Sequence, residues 1–204
     1  MPLHEISAVS LFFFIYSLRL PMVTKDEVLW FPMRVTYHRE LKIKVLLDQL
    51  NIENFLPMRY ELVETKNEGK KRLLLPAINN LIFVHTSQAI LTELKMTRKE
   101  FSPMRYMMKK SKHDDGIAEI ITVPTKQMDN FMKVASVQDD RVFFLNYDEI
   151  QSISGKRCKV IDGYFAGVEG TIKRISKNKR VVVLIDGIAA VAIAFIPANC
   201  LTLV

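Results

Sequence analysis

The hydrophobic period of this chain changes near residue 154, and that change constrains the fold more than any other feature. Up to residue 147, segments with the helical period alternate with segments of extended character. From residue 155 onward, apolar residues tend to recur at every second position. The first pattern indicates helices interleaved with strands, and the second indicates a small all-β unit. We therefore predict domains at 25–147 and 155–204, joined by a polar linker at 148–154.

Composition and charge limit the classes of protein that fit this chain. Its 204 residues are 49% apolar and 25% charged, which is typical of a folded protein and not of a disordered one. The net charge of +7 is compatible with acidic partners such as nucleic acid, an acidic protein surface or anionic lipid. Residues 155–204 contain eight basic and three acidic side chains, so the two predicted domains have different surfaces.

Residues 1–24 are predicted to be an extension outside the fold. The apolar run Val9–Leu20 is shorter than the roughly 20 residues of a membrane span. It also lacks the basic flank and the small-residue cleavage site of a signal peptide. Translation from Met22 and a disordered or weakly docked extension are the two alternatives. We expect a cytoplasmic protein without a membrane anchor, which agrees with two cysteines outside any CxxC pair.

Residues 25–147 are predicted to form an α+β sandwich with a mostly antiparallel sheet. Ile43, Leu46, Leu47 and Leu50 recur at the helical period, so residues 39–51 are predicted to form a helix. Ser87 is a predicted N-cap for a second helix, with Ile90, Leu91 and Leu94 facing inward. A third helix is predicted after Pro124. Strands are predicted at 30–36, 55–65, 72–75, 81–86, 104–108 and 119–123.

Residues 155–204 are predicted to form five short strands that close into a small barrel. Turns are expected at Asp162-Gly163 and Asp186-Gly187, and a basic hairpin loop at 176–180. Residues 181–185 are rich in β-branched side chains, and Gly187 would interrupt a helix, so we expect strands over 181–196 rather than a helical hairpin. We expect this barrel to be tethered flexibly and available to a partner.

The most specific pattern is KRCKVIDGYFAGVEGT, at Lys156–Thr171. A strand with alternating basic residues leads into Gly163, then the aromatic Phe165, then Gly167 and Gly170. Glycines at these points permit positive-φ turns and the close approach of a neighbouring backbone. The pattern resembles the KOW motif of NusG-type transcription elongation factors and ribosomal proteins. It departs from that motif at Tyr164, where proline is common.

The first domain carries a second resemblance. Trp30–Val35, the helix at 39–51, Phe55-Leu56-Pro57, and Pro76 before Leu81–Val84 occur in the order found in the N-terminal domain of the NusG family. The resemblance covers residues 28–136, and WFPMRVTYHRELKI with LIFVHTS is most similar to the UpxY group of specialised NusG paralogues. That group consists of antiterminators of capsular or surface polysaccharide operons.

The resemblance implies that the first domain, called NGN, binds the clamp helices of RNA polymerase and favours its elongating state without making or breaking a bond. The candidate contact residues are Trp30, Phe31, Tyr37, Phe55, Leu81 and Phe83, with Arg34, Arg39 and Arg105 as charges at the rim. The alternative is that half or more of these apolar residues are sheet core, with Phe83 the first among them.

The KOW domain is expected to recruit a ribosome or a termination factor. Its basic loop, with Lys177, Lys179 and Arg180, is a possible nucleic-acid contact, although a solvated hairpin tip is favoured. A rival interpretation is an RNA- or ribosome-binding KOW protein without an action on polymerase. We predict a monomer that is not an enzyme and needs no cofactor or metal, because the sequence contains no nucleotide-binding, hydrolase or metal-ligand motif.

Overall fold

The computed structural model describes residues 27–65, 69–110, 118–138, 140–145, 155–175 and 178–204. The predicted extension at 1–24 and the predicted linker at 148–154 lie outside the described residues, so both stay predictions. Three α-helices occur in the described part: α1 (Glu40–Gln49), α2 (Gln88–Thr97) and α3 (Thr125–Ala135). The strands of the described part are β1 (Val28–Val35), β2 (Glu53–Phe55), β3 (Met58–Thr65), β4 (Gly69–Pro76), β5 (Leu81–Ser87), β6 (Met104–Tyr106), β7 (Met108–Lys110), β8 (Ala118–Ile120), β9 (Val142–Phe144), β10 (Lys156–Val160), β11 (Glu169–Ile175), β12 (Asn178–Ile185), β13 (Ala189–Ile193) and β14 (Leu201–Leu203).

The N-terminal sheet has the order β2-β5-β1-β6, and its strands are antiparallel. Alternate residues of β1 and β5 face opposite sides of this sheet, and both sides are covered. One side packs with Ile43 and Leu47 of α1 and with Leu91 and Leu94 of α2. The other side packs with the buried residues of α3. The predicted α+β sandwich with an antiparallel sheet is therefore confirmed.

Ser87 caps α2 as predicted, since its Oγ accepts a hydrogen bond from the backbone N–H of Ile90 at 3.3 Å. Leu91 and Leu94 are buried as predicted, but the prediction that Ile90 faces inward is wrong. Ile90 is 46% exposed, because the buried stripe of this short helix follows Leu91 and Leu94. The predicted strand at 104–108 is divided into β6 and β7, which belong to different sheets.

Strands β3 and β4 form a two-stranded ribbon, and β4 is longer than the predicted strand at 72–75. All eight residues of β3 pair with β4, from Met58 with Pro76 to Thr65 with Gly69. The predicted strand at 72–75 therefore begins earlier, because residues 69–71 are also extended. No other strand of the described residues pairs with this ribbon.

The C-terminal sheet has six antiparallel strands in the order β14-β10-β11-β12-β13-β9. The strands expected over residues 181–196 are present as β12 and β13. Strand β9 was predicted to belong to the first domain, yet it pairs with β13 from Val142 with Ile193 to Phe144 with Val191. Strands β14 and β9 are the two edge strands of this sheet. Closure of the sheet into a KOW barrel therefore stays a prediction.

Helix α3 packs against both sheets. Its buried residues are Met128, Phe131, Val134 and Ala135, and they belong to one apolar cluster with Trp30 and Phe83 of the N-terminal sheet and Val181 and Val191 of the C-terminal sheet. The predicted division into domains at 25–147 and 155–204 stays a prediction. A continuous apolar core joins the two because α3 presents buried side chains to each of them.

Candidate functional site

Four exposed residues lie at one end of the N-terminal sheet, and we call them the arginine–tyrosine patch: Arg34, Tyr37, Arg39 and Arg105. Tyr37 is 79% exposed, and the Arg39 guanidinium lies over its ring at 5.5 Å from the centroid. Such a pair is an attractive cation–π contact. All four residues are among those predicted to contact polymerase.

Tyr37 is held in an unusual backbone conformation. Tyr37 and His38 have φ values of 65° and 50°, which side-chain-bearing residues rarely adopt. The backbone N–H of Thr36 donates a hydrogen bond to the carbonyl of Pro103 at 3.1 Å, and this ties the turn to the segment before β6. Strained turns of this kind cost about 1–3 kcal/mol per residue and are concentrated at functional sites.

Arg34 and Arg105 occupy directly opposite positions on β1 and β6. Like charges at such positions are unfavourable unless another group neutralises them. Arg105 donates to the backbone carbonyls of Ser102 and Met104, and neither arginine forms an ion pair with a carboxylate of the described residues. The patch can therefore accept an acidic group from outside.

Lys95 adds positive charge close to this patch. Its ammonium lies 4.1 Å from the centroid of the Tyr106 ring. Burial lowers the pKa of Lys95, and the Arg105 charge lowers it further. Burial raises the pKa of Tyr106, and its hydroxyl lies 2.9 Å from Thr92 Oγ1. An anion bound near Arg105 would oppose the effect of its charge on Lys95.

Trp30, Phe31 and Leu81 are not available as contact residues, since their exposed fractions are 2%, 1% and 4%. They lie on central strands whose two faces are covered, so they form core as the alternative interpretation allowed. Phe83 is also fully buried, as expected of a core residue. Phe55 is half-buried and packs edge-on against Phe131 of α3, with 6.3 Å between the ring centroids.

Trp30 belongs to a polar–aromatic group that sequence reasoning did not find. Its indole stacks on the His85 imidazole with 4.7 Å between centroids, and His85 Nδ1 lies 2.6 Å from Glu53 Oε2. The strand register alone could have suggested that these three side chains meet, because Trp30 and Glu53 are both cross-strand partners of His85.

The predicted KOW motif forms the turn between β10 and β11. Gly163 and Gly167 have φ values of 82° and 90°, and Phe165 is buried in the core shared with α3. A Cβ on Gly170 would lie 2.7 Å from the carbonyl oxygen of Val182, so a side chain there would collide with β12. These positions have the conformational and steric properties that the motif predicted for glycine.

The three basic residues of the predicted nucleic-acid contact differ in their surroundings. Lys177 lies outside the described residues. Lys179 is exposed and sits opposite Arg174 on β11. Arg180 packs over the Phe143 ring at 4.4 Å from the centroid and donates to the carbonyl of Ala194 at 3.1 Å. Arg180 of β12 therefore contacts both β9 and the residue that follows β13, and these contacts limit its reach to a phosphate.

The described part of the chain contains no group of three or more His, Cys, Asp or Glu side chains placed to hold a metal ion. None of its α-helices has the length and apolar character that a membrane span requires. Its main features are two antiparallel sheets joined by α3 and an exposed patch with three arginines.

The fold and this patch define a two-sheet α+β protein with a surface suited to an acidic partner. A family model described as "Transcription termination factor nusG" matches residues 29–132, from β1 into α3 and just over half of the chain. The chain therefore belongs to the NusG family, whose members are transcription factors that bind RNA polymerase and are not enzymes.

A solved structure described as "Domain interaction in Thermotoga maritima NusG" is similar over 86% of this chain and 96% of its own length. The two share 15% sequence identity with a TM-score of 0.39. No curated protein matches the chain significantly.

Proposed function

We propose that this protein is an antitermination or elongation factor that binds the clamp helices of RNA polymerase through residues 28–136. It suppresses pausing or termination by binding the elongating state more tightly than the paused one. The observation that carries this proposal is the family match, which covers both faces of the N-terminal sheet and most of α3. We further propose that its target is a polysaccharide operon, as in the UpxY group.

The arginine–tyrosine patch supports polymerase binding as the role of the first domain. Aromatic and arginine side chains are enriched among residues that dominate binding energy at protein interfaces. Tyr37 is exposed, conformationally restrained and covered on one side by Arg39. It therefore offers a large contact area with little loss of side-chain freedom on binding.

Capture of core RNA polymerase from nuclease-treated extract tests the proposal. Retention of polymerase after nuclease treatment is the expected result. Retention of RNA or ribosomes in untreated extract, with loss of polymerase after nuclease treatment, would favour the rival RNA- or ribosome-binding function. A ribosome or termination factor retained together with polymerase would identify the partner of the C-terminal sheet.

Tyr37→Ala is expected to weaken polymerase binding at least tenfold with little change in thermal stability, because the lost side chain is exposed. Tyr164→Ala is the matched control. Tyr164 is 66% exposed and lies under the Arg141 guanidinium at 5.3 Å, but it belongs to the C-terminal sheet segment. Equal losses of affinity for the two variants, measured by interferometry with core polymerase, would contradict a specific role for the patch.

A further inference from the structure

The ribbon formed by β3 and β4 exposes a partly apolar face. Tyr60 is the cross-strand partner of Leu74, and Leu62 is the partner of Arg72, so these four side chains lie on the same face. Leu62 is 73% exposed, and Tyr60, Leu74 and Arg72 are exposed as well. We call these four residues the ribbon face.

The ribbon face carries an uncompensated positive charge. The Arg72 guanidinium lies over the Tyr60 ring at 4.4 Å from the centroid. Among the residues that the structure describes, Arg72 forms neither a hydrogen bond nor an ion pair. Arg59, the other arginine of the ribbon, donates from Nε to Glu61 Oε1 at 2.6 Å. A stacked arginine keeps the N–H groups in its own plane free, and these match the two oxygens of a carboxylate.

A cavity of about 120 Å³ opens beside Arg72, between the ribbon and residues 137–144. Arg59, Tyr60 and Arg72 line it from the ribbon, and Asp140 and Phe143 line it from the other side. The charged residues of this lining are two arginines and one aspartate, so the cavity has a net positive charge. Its volume is that of about four water molecules in the liquid. It therefore has room for one carboxyl group with its methylenes and is too small for a nucleotide.

The composition of the ribbon face favours a protein partner over a nucleic acid. Leu62 and Leu74 offer apolar area but no donor for a phosphate. The Arg72 guanidinium already occupies one side of the Tyr60 ring, on which a base would otherwise stack. Tyrosine and arginine beside apolar side chains are typical of the centre of a protein interface.

We propose that the ribbon face binds an extended acidic segment of a partner protein. An aspartate or glutamate of that segment enters the cavity and accepts hydrogen bonds from Arg72. A large apolar side chain two residues along the segment covers Leu62 and Leu74, because alternate residues of an extended chain face the same way. The proposal concerns the ribbon alone and does not depend on polymerase binding.

Selection of random octapeptides displayed on phage, with the full chain as the immobilised target, tests this surface. We expect enrichment of a class in which an aspartate or glutamate lies two residues from a large apolar residue. Synthetic peptides of that class, measured by calorimetry, are expected to bind Arg72→Gln about tenfold more weakly, since hydrogen bonds between charged groups are lost. Arg72→Lys should have an intermediate affinity, because lysine keeps the charge but not the paired donors.

An exposed leucine elsewhere supplies the matched control for the apolar contact. Leu62→Ser is expected to weaken peptide binding about three- to tenfold through the loss of buried apolar area. Leu203→Ser should leave it unchanged, since Leu203 is 60% exposed on β14 of the other sheet. Thermal melting close to that of the parent chain verifies that each variant is folded.

The proposal would be overturned if no acidic–apolar class is enriched, or if Arg72→Gln and Leu62→Ser bind its peptides as tightly as the parent chain does. An equal loss of affinity in Leu203→Ser would also overturn it. If a short single-stranded DNA binds where no such peptide does, and Arg72→Gln weakens that binding, the ribbon face belongs to a nucleic acid and the proposal is wrong.

Discussion

Gly163 and Gly170 belong to the same turn motif, but different forces select glycine at each position. Gly163 has φ +82°, and a Cβ there would meet no atom within 4 Å. Gly170 has an ordinary backbone conformation, yet its Cβ would approach the Val182 carbonyl and the Val181 side chain to within 3 Å. The first position requires backbone freedom, and the second requires empty space.

Substitution by asparagine distinguishes these two requirements, because asparagine tolerates the left-handed backbone region better than other residues with a side chain but still needs space for its Cβ. Gly163→Asn is expected to lower the free energy of unfolding by less than about 1 kcal/mol. Gly170→Asn should lower it by about 1–3 kcal/mol, since β11 and β12 must separate to admit the side chain. Urea unfolding measures both, and equal losses would contradict the distinction.

Glu40 is a buried charged residue that connects α1 to the N-terminal sheet. It is 2% exposed, and its carboxylate accepts the backbone N–H of Asn80. Asn80 has φ 60° and accepts the backbone N–H of Val35 at 2.9 Å. Glu40 thus satisfies a backbone donor in the half-buried turn that leads into β5.

Glu40→Leu is expected to destabilise the protein by about 1–3 kcal/mol, because the half-buried Asn80 amide loses its acceptor. Glu40→Gln retains an acceptor oxygen at the same position, so this variant should lose less stability than Glu40→Leu. Thermal melting of the two variants gives the comparison, and a Gln variant as unstable as the Leu variant would show that charge, rather than hydrogen bonding, matters.

At the scale of elements, the long periodic segments were predictable and the short strands were not. Residues 39–51 and Leu81–Thr86 carry strong local patterns, and α1 and β5 occur there. Strand β9 has only three residues, and its extended form depends on pairing with β13, about 50 residues later in the chain. No local pattern contains that information, because β propensity reflects the neighbours of a strand.

The candidate site was predictable in its charges but not in most of its apolar residues. Trp30 and Phe31 have the composition of an interface anchor, but β1 lies between β5 and β6 with both faces covered. Whether a strand is central or at an edge is decided by tertiary pairing. Tyr37 follows the end of β1 in a turn, where no second layer covers it, and it is exposed as the docking hypothesis required.

At the scale of the whole molecule, the boundary of the C-terminal unit is open to test. Strand β9 covers one edge of the sheet, and Leu145 is buried with Val182 and Ala190. A fragment that begins at residue 155 lacks these contacts, whereas one that begins at 140 retains them. The longer fragment also keeps Phe143 beneath Arg180.

We expect fragment 140–204 to be more stable than fragment 155–204 by about 2 kcal/mol or more, the value of one large buried apolar side chain. Urea unfolding followed by circular dichroism measures the difference. The double variant Phe143→Ser/Leu145→Ser in the longer fragment should remove most of it. Equal stability of the two unsubstituted fragments would show that β9 contributes nothing to the sheet.

Because α3 packs against two sheets, the two halves of this protein are poor candidates for exchange with those of a relative. A chimera that takes residues 155–204 from another member would set a foreign sheet against the buried side chains of α3. It would also change the contacts of Lys126 with Glu169 and of Lys133 with Ala166. Its designer would have to transplant α3 and residues 141–145 along with the sheet. In natural homologues the same constraint would leave a record, with substitutions on the side of α3 that packs against the C-terminal sheet accompanied by substitutions on β12 and β13.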